Sequence, residues 1–126
     1  MMIKRILGIL LSGTLVVSCA NIAAPNGGPP DTTPPTVLET TPKQKTINFA
    51  GDQVTIEWSK YMDRAKVIEN LSIMPTVKYS YDWSGKDLQI DFEEPLRENT
   101  SYSILFGTDY TDNKQNKPQE AFSLIF

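Results

Sequence analysis

Few side chains in this chain could do covalent chemistry. Its 126 residues include no histidine and one cysteine, Cys19. Ser-His-Asp triads, Cys-His dyads, Cys/His zinc sites and internal disulfides are therefore excluded. The adjacent carboxylates of Glu93 and Glu94 would point to opposite faces of an extended strand, so they cannot act as a catalytic pair. The composition predicts that the protein is not an enzyme and needs no cofactor.

Cys19 lies at the end of a segment with the order of a secretory signal. Lys4 and Arg5 precede an apolar run over residues 6–17, and Ser18 is the small residue before the cysteine. The run is shorter than the roughly 20 residues that a membrane-spanning helix needs. We therefore predict that residues 1–18 are a signal peptide that is removed.

The stretch Leu15-Val-Val-Ser-Cys19 resembles the lipobox of bacterial lipoproteins. The resemblance implies that Cys19 carries acyl chains such as palmitate and anchors the protein to a membrane, where several chains together give stable attachment. The alternative is an ordinary signal peptide cleaved elsewhere, with Cys19 as a free thiol. No acidic sorting signal follows the cysteine, so the expected location is the cell envelope, on the outer membrane facing the periplasm.

Residues 19–35 are predicted to be a spacer that follows the lipid. Residues 20–35 hold five prolines and two glycines, a composition that is semi-rigid and has nothing to bury. The tripeptide Asp31-Thr32-Thr33 resembles an O-glycosylation acceptor of Bacteroidetes, which implies a glycan on Thr32. The alternative is that Asp and Thr are simply common in linkers.

The charge of the chain limits its partners. The formal charge of −3 becomes −5 when residues 1–18 leave with Lys4 and Arg5. Nucleic acid is not expected as a partner, because its binding needs a basic surface that neutralises phosphates. The expected partners are a membrane, through Cys19, and an envelope protein or glycan.

From Thr36 onward the sequence predicts an all-β domain with turns every 8 to 12 residues, roughly the spacing of a sandwich. The clearest strand is 53–59, where Val54, Ile56 and Trp58 alternate with polar residues. The other predicted strands are 37–40, 71–74, 77–82, 86–92, 102–107 and 121–126. Gly85 is expected to form a tight hairpin turn. Residues 62–70 are the one stretch with helical tendency, but their apolar spacing is too short to predict a helix, and we expect a single irregular turn that crosses between the sheets.

Residues 31–126 resemble the bacterial Ig-like domains of S-layer proteins and of Bacteroidetes lipoproteins. The matching stretches, in order, are Asp31-Thr-Thr-Pro-Pro-Thr-Val37, Thr41-Pro42, 54–63, 96–102 and 109–116. Tyr61 replaces the proline that is usual in the third stretch. The resemblance implies an immunoglobulin-like sandwich of about seven antiparallel strands over residues 36–126, with the related fibronectin type III fold as the alternative. Tyr102 suits the tyrosine corner of such folds.

Two groups of residues are candidate binding sites. Tyr79, Tyr81 and Trp83 alternate along one predicted strand and could stack on a sugar ring, although we favour core packing for Tyr81 and Trp83. Asp109, Asp112, Asn113 and Asn116 could offer oxygen ligands to calcium. Their spacing lacks the glycine and terminal glutamate of an EF-hand loop, so we predict that they satisfy their own backbone and bind no metal.

The predicted function is a lipid-anchored cell-envelope module with a structural or binding role toward protein or glycan. The alternative is a carbohydrate-binding accessory lipoprotein of a polysaccharide-uptake system. The sequence ends in the apolar strand 121–126. We expect either that the protein continues beyond Phe126 or that a partner completes this strand, because an exposed apolar edge invites strand addition.

Overall fold

The computed structural model of the chain describes residues 28–126. The predicted signal peptide, Cys19 and most of the predicted spacer lie outside the described residues. The compact unit that carries the strands is Asp31–Phe126, so it begins before the expected boundary at Thr36. The reason is that residues 31–35 pack on the domain: Pro35 is fully buried, and Asp31 is bonded to two loops.

The described residues form seven strands and one short helix. In chain order they are β1 (Val37–Thr41), β2 (Gln53–Trp58), α1 (Arg64–Glu69), β3 (Leu71–Met74), β4 (Tyr79–Ser84), β5 (Asp87–Phe92), β6 (Ser103–Phe106) and β7 (Phe122–Ile125). Each strand lies within two residues of its predicted bounds. No helix within residues 28–126 is long and apolar enough to cross a membrane.

The strands form two antiparallel sheets that enclose one core. The four-stranded sheet has the order β1-β2-β5-β4, and the three-stranded sheet has the order β3-β6-β7. This is the strand arrangement of an immunoglobulin constant-type sandwich, in which strands A, B, E and D face strands C, F and G. The predicted all-β, immunoglobulin-like fold is confirmed.

The core consists of the apolar positions whose alternation predicted the strands. Val54, Ile56 and Trp58 of β2 are fully buried, and the inward positions of β5 and β6 are buried as well. The Trp58 ring packs edge-on against two rings, with its centroid 5.3 Å from that of Phe106 and 5.3 Å from that of Tyr110. The contact with Phe106 crosses from one sheet to the other, and the contact with Tyr110 joins β2 to the loop after β6.

Two local predictions, the hairpin turn and the tyrosine corner, are confirmed by the structure. Gly85 has a φ of +59° and closes the β4–β5 hairpin, in which Ser84 lies opposite Asp87. Tyr102 is 3% exposed, and its hydroxyl oxygen accepts a hydrogen bond from the backbone N–H of Arg97 at 2.8 Å. This contact is the predicted tyrosine corner.

The segment after β2 differs from its prediction, because it contains the helix α1. The Asp63 carboxylate caps the helix by accepting from the N–H of Lys66 at 3.4 Å. Val67 is the buried residue of the helix and docks it on the core. A helix this short is marginal by itself, so tertiary packing rather than local propensity accounts for it.

The last strand is covered along its outer edge, contrary to the expectation of an exposed edge. Gln44 lies beside β7, where its side-chain amide donates to the carbonyl of Ser123 at 2.6 Å and accepts from the N–H of Ile125 at 2.6 Å. The N–H of Lys45 donates to the carbonyl of Ile125 at 2.7 Å. We call this side of β7 the closed edge.

Candidate functional site

The three aromatic residues of β4 lie on the core-facing side of an outermost strand. Tyr81 pairs with Ile90 across the ladder, and Trp83 pairs with Leu88, both of which are fully buried. Trp83 packs partly buried against the core, as predicted, and Tyr79 does the same. The prediction of a core position for Tyr81 is wrong, since this residue is 49% exposed. The alternation of apolar and polar residues predicts which side of the sheet a residue faces. It does not predict how far the opposite sheet extends over that residue.

Arg64 of α1 covers one side of the Trp83 indole. Its guanidinium carbon lies 5.5 Å from the indole centroid, a cation–π distance, and its Nη2 donates to the carbonyl of Gly85 at 3.3 Å. Trp83 therefore already stacks on a cation of its own chain. Of the three predicted glycan-binding residues, Tyr81 is the most exposed, with about half of its surface accessible.

The outer edge of β4 presents backbone groups as well as rings. The N–H of Glu93 donates to the carbonyl of Lys78, so the even-numbered residues of β4 make the backbone hydrogen bonds to β5. The backbone N–H and C=O groups of Tyr79, Tyr81 and Trp83 therefore face outward, away from the sheet. Within residues 28–126, the outward groups of Tyr79 and Tyr81 make no hydrogen bond, while the N–H of Trp83 donates to the Asp82 carboxylate at 2.9 Å. We call this side of β4 the open edge.

A polar cluster at one end of the sandwich holds the start of the domain. The Lys60 ammonium nitrogen lies 2.7 Å from an Asp31 carboxylate oxygen and 3.2 Å from an Asp112 oxygen, and it also donates to the carbonyl of Thr33. The side-chain amide of Asn116 donates to the carbonyl of Asp31 at 2.9 Å and to Asp112 at 3.0 Å. We call Asp31, Lys60, Asp112 and Asn116 the lysine clamp.

The electrostatics of the lysine clamp favour its charged form. The hydrogen bond from Lys60, with the backbone N–H of Thr33, lowers the pKa of Asp31 from 3.8 to about 2. Desolvation alone would raise the pKa of Asp112, but hydrogen bonds from Asn116, Lys60 and Lys114 outweigh it and lower that pKa. Desolvation likewise opposes the charge on Lys60, and its bonds to the two carboxylates nevertheless raise its pKa. The cluster is a set of mutually satisfied charges.

The four calcium candidates do not form a common ligand set. Asp112 is 2% exposed, and its carboxylate accepts from the backbone N–H groups of Lys114 and Asn116 at 2.8 and 2.9 Å. Asp109 is instead 86% exposed and lies 3.8 Å from Lys117, while Asn113 is exposed. Within the described residues no cluster of three potential metal-ligating side chains occurs. Asp112 organises its own loop, as Asx residues commonly do.

Thr32 is exposed next to the lysine clamp, as an O-glycosylation acceptor would have to be. The neighbouring Thr33 is bound at both backbone groups, because its N–H donates to Asp31 at 2.9 Å and its carbonyl accepts from Lys60. The backbone around Thr32 is therefore held in place while its hydroxyl remains accessible. Glycosylation of Thr32 stays a prediction.

Sequence reasoning missed Gln44, Lys60 and Arg64. Gln44 contacts residues 79 and 81 positions away in the chain, and Lys60 contacts Asp112 at a separation of 52. No local pattern encodes such pairs. A signal was present for Lys60 only, because it lies in one of the stretches that resemble the Ig-like family, as do Asp31, Asp112 and Asn116.

The two sheets define an immunoglobulin-like sandwich. A family model described as "Bacterial Ig-like domain" matches residues 31–126, the same range as the compact unit. The chain belongs to this family. Comparison with curated proteins gives no match to the chain.

Proposed function

We propose that the protein is a lipid-anchored module of the bacterial cell envelope with a structural or binding role. Bacterial Ig-like domains are generally non-catalytic and typically surface-exposed, which supports a module of this kind. The lipid anchor rests on the sequence around Cys19, and the outer membrane is the membrane that we propose for it. Acylated Cys19 and the Pro/Gly-rich spacer would together hold the domain at the membrane surface.

The observation that carries this proposal is the lysine clamp. Residues 31–35 are the last part of the proposed spacer, and Lys60 and Asn116 bind Asp31 and Thr33 to two different loops of the sandwich. A pull on the spacer would therefore reach the folded domain through the paired groups of Asp31 and Thr33 as well as through the chain that enters β1. Such an attachment suits a domain that is held by its N-terminal side.

The anchor is tested by mass spectrometry of the mature N-terminus after expression in a bacterium that processes lipoproteins. We expect an acylated Cys19 as the first residue, and we expect the Cys19→Ala precursor to remain uncleaved and without lipid. A matched Ser12→Ala variant, also within the signal segment, should be processed normally. A mature N-terminus other than Cys19, or an unmodified thiol there, would contradict the proposal.

A carbohydrate-binding accessory role in polysaccharide uptake is the second candidate. It is favoured by the exposed Tyr81 ring, which lies on the same side of β4 as Trp83 and its Arg64 cation. Exposed aromatic rings beside hydrogen-bonding groups suit sugar stacking. A glycan array should lose its signal with Tyr81→Ala and keep it with Leu105→Ala, which removes a comparably exposed apolar side chain from the other sheet. Equal binding by both variants would sink this candidate.

A further inference from the structure

Residues 77–83, the first five residues of β4 and the two before it, form a pattern that is symmetric about its centre. The sequence is Val77-Lys-Tyr-Ser-Tyr-Asp-Trp83, with Ser80 in the centre. A tyrosine lies on each side of Ser80, a charged residue of opposite sign lies beyond each tyrosine, and an apolar residue lies at each end. Two copies of such a strand are complementary when they run antiparallel, because each lysine then lies opposite an aspartate.

The backbone of the open edge fits the same register. Pairing centred on Ser80 places Tyr79 of one copy opposite Tyr81 of the other, and these are the residues whose N–H and C=O face outward. In an antiparallel ladder such opposed outward residues exchange both of their hydrogen bonds. Ser80 would face Ser80 of the second copy as a non-hydrogen-bonded pair on the two-fold axis.

The side chains agree with this register on both faces of the strand. On the core-facing side, the half-exposed Tyr81 would be covered by Tyr79 of the second copy. On the outer side, Lys78 would lie opposite Asp82 of the second copy, and both residues are exposed. Within the described residues neither one takes part in a salt bridge. The two-fold symmetry makes two such ion pairs.

Neighbouring registers are less favourable. An axis at Tyr81 places Asp82 opposite a serine, and an axis at Asp82 places two aspartates directly against each other, which is destabilising. The outward residues Tyr79, Tyr81 and Trp83 exchange hydrogen bonds in each of these registers, so the charges of Lys78 and Asp82 distinguish them. The register centred on Ser80 is the one that combines hydrogen bonds, aromatic pairs and opposite charges.

The other strand edges are less suited to pairing. The outer edge of β7 is closed by Gln44 and Lys45. β1 contains a bulge between Val37 and Glu39, and β3 has four residues and is followed by Pro75. Bulges, short strands and prolines are the features by which proteins protect sheet edges. β4 has six residues and neither a bulge nor a proline.

We propose that two copies of the protein associate through their β4 edges, antiparallel and centred on Ser80, so that the two four-stranded sheets become one continuous sheet. The contact is a symmetric, isologous one. When the contact forms, the Trp83 N–H no longer donates to the Asp82 carboxylate and donates instead to a carbonyl of the second copy. The Asp82 carboxylate is then available for an ion pair with Lys78 of that copy. This inference goes beyond the proposed function, since it depends neither on the lipid at Cys19 nor on a glycan.

Disulfide trapping in the full-length protein tests the register directly. Non-hydrogen-bonded antiparallel pairs have Cα atoms about 4.5 Å apart, within the range of a disulfide. Mild oxidation of Ser80→Cys should therefore give a covalent dimer. The matched Ser84→Cys variant lies on the same face of the strand, but its two cysteines would be about 27 Å apart in this register. The unsubstituted chain serves as the control for cross-links through Cys19.

Charge-reversal variants test whether the partner is a second copy that pairs Lys78 with Asp82. In the Ser80→Cys background, Lys78→Glu should reduce the cross-linked dimer by about tenfold, because two attractive pairs become repulsive. Adding Asp82→Lys should restore the dimer, since the pairs are then attractive again. Both positions are exposed, so the variants should fold, and unchanged thermal melting confirms it.

Three results would overturn the inference. The first is a Ser80→Cys chain that cross-links no better than Ser84→Cys. The second is a dimer whose yield does not respond to the charge reversals. The third is a Ser80→Cys chain that cross-links to a chain of different mass, which would assign the open edge to another protein. None of these results bears on acylation of Cys19, so failure here is distinguishable from failure of the proposed function.

Discussion

The outer edges of β4 and β7 are the same kind of surface with different surroundings. Each is the last strand of its sheet, and each turns the N–H and C=O groups of alternate residues outward. At the closed edge, Gln44 and Lys45 bond to Ser123 and Ile125. At the open edge, the only group engaged by another described residue is the N–H of Trp83, which a neighbouring side chain of the same strand accepts.

The difference shows that edge protection is independent of the core. Both strands pack on the same core through alternating side chains, and both follow the predicted pattern. What distinguishes them is the loop segment Gln44–Lys45, in which the side-chain amide of Gln44 and the backbone N–H of Lys45 make the hydrogen bonds that a pairing strand would make. A sheet edge without such a cover is free to pair with another chain.

The largest expected effect on stability comes from a change in the core on which both edge strands pack. Trp58→Ala takes a fully buried ring from between the sheets and should lower the free energy of unfolding by about 3 to 5 kcal/mol. This is a large part of the whole stability of a domain, which is about 5 to 15 kcal/mol. Thermal melting with Leu105→Ala as the exposed control measures the effect. Equal melting of the two variants would refute the packing described for Trp58.

A smaller effect is expected at the lysine clamp, which lies on neither edge. Asp112→Ala removes a buried acceptor of hydrogen bonds from Lys60, Asn116 and two backbone N–H groups. Hydrogen bonds to charged groups contribute about 1.5 to 3 kcal/mol, so we expect a loss of about 2 to 3 kcal/mol in chemical denaturation. Asp109→Ala, at an exposed carboxylate of the same loop, should change stability little. Equal losses would contradict the role of the clamp.

Acid should weaken the lysine clamp and leave the closed edge intact. The pKa of Asp31 is about 2 in the folded protein, below its ordinary value of 3.8, and that of Asp112 is also lowered. Their stabilisation is complete above about pH 4 and is lost as the pH falls toward 2. The melting temperature should therefore fall less steeply over this range for Asp31→Asn than for the unsubstituted protein. Identical slopes would show that the clamp is not coupled to folding.

A still smaller effect is expected from opening the closed edge. Gln44→Ala removes two exposed hydrogen bonds and should cost about 1 kcal/mol. Its larger consequence should be new self-association through β7, detected by sedimentation velocity. Gln44→Leu keeps the bulk of the side chain without its amide, so it should associate as Gln44→Ala does if the hydrogen bonds are what protect the edge. A Gln44→Leu chain that sediments like the unsubstituted protein would assign the protection to steric cover.

The sequence allowed the strands, the hairpin turn and the tyrosine corner to be predicted, because each depends on local alternation or on one special residue. The predicted inward residues of β2, such as Val54 and Ile56, are buried as expected. Tyr81 was misjudged because its exposure depends on the width of the opposite sheet, and α1 was missed because its stability comes from docking Val67. Gln44 could not be found, since its partners are about 80 positions away.

The contrast between the edges is tested most directly by amide hydrogen exchange resolved by NMR. In dilute protein, the N–H of Ile125 should exchange at least about tenfold more slowly than that of Tyr81, because Ile125 donates to Gln44 and Tyr81 donates to no acceptor within residues 28–126. At high concentration the Tyr81 amide should become protected while that of Ile125 does not change. Equal exchange of the two amides in dilute protein, or a Tyr81 amide that is insensitive to concentration, would contradict the assignment of one closed and one open edge.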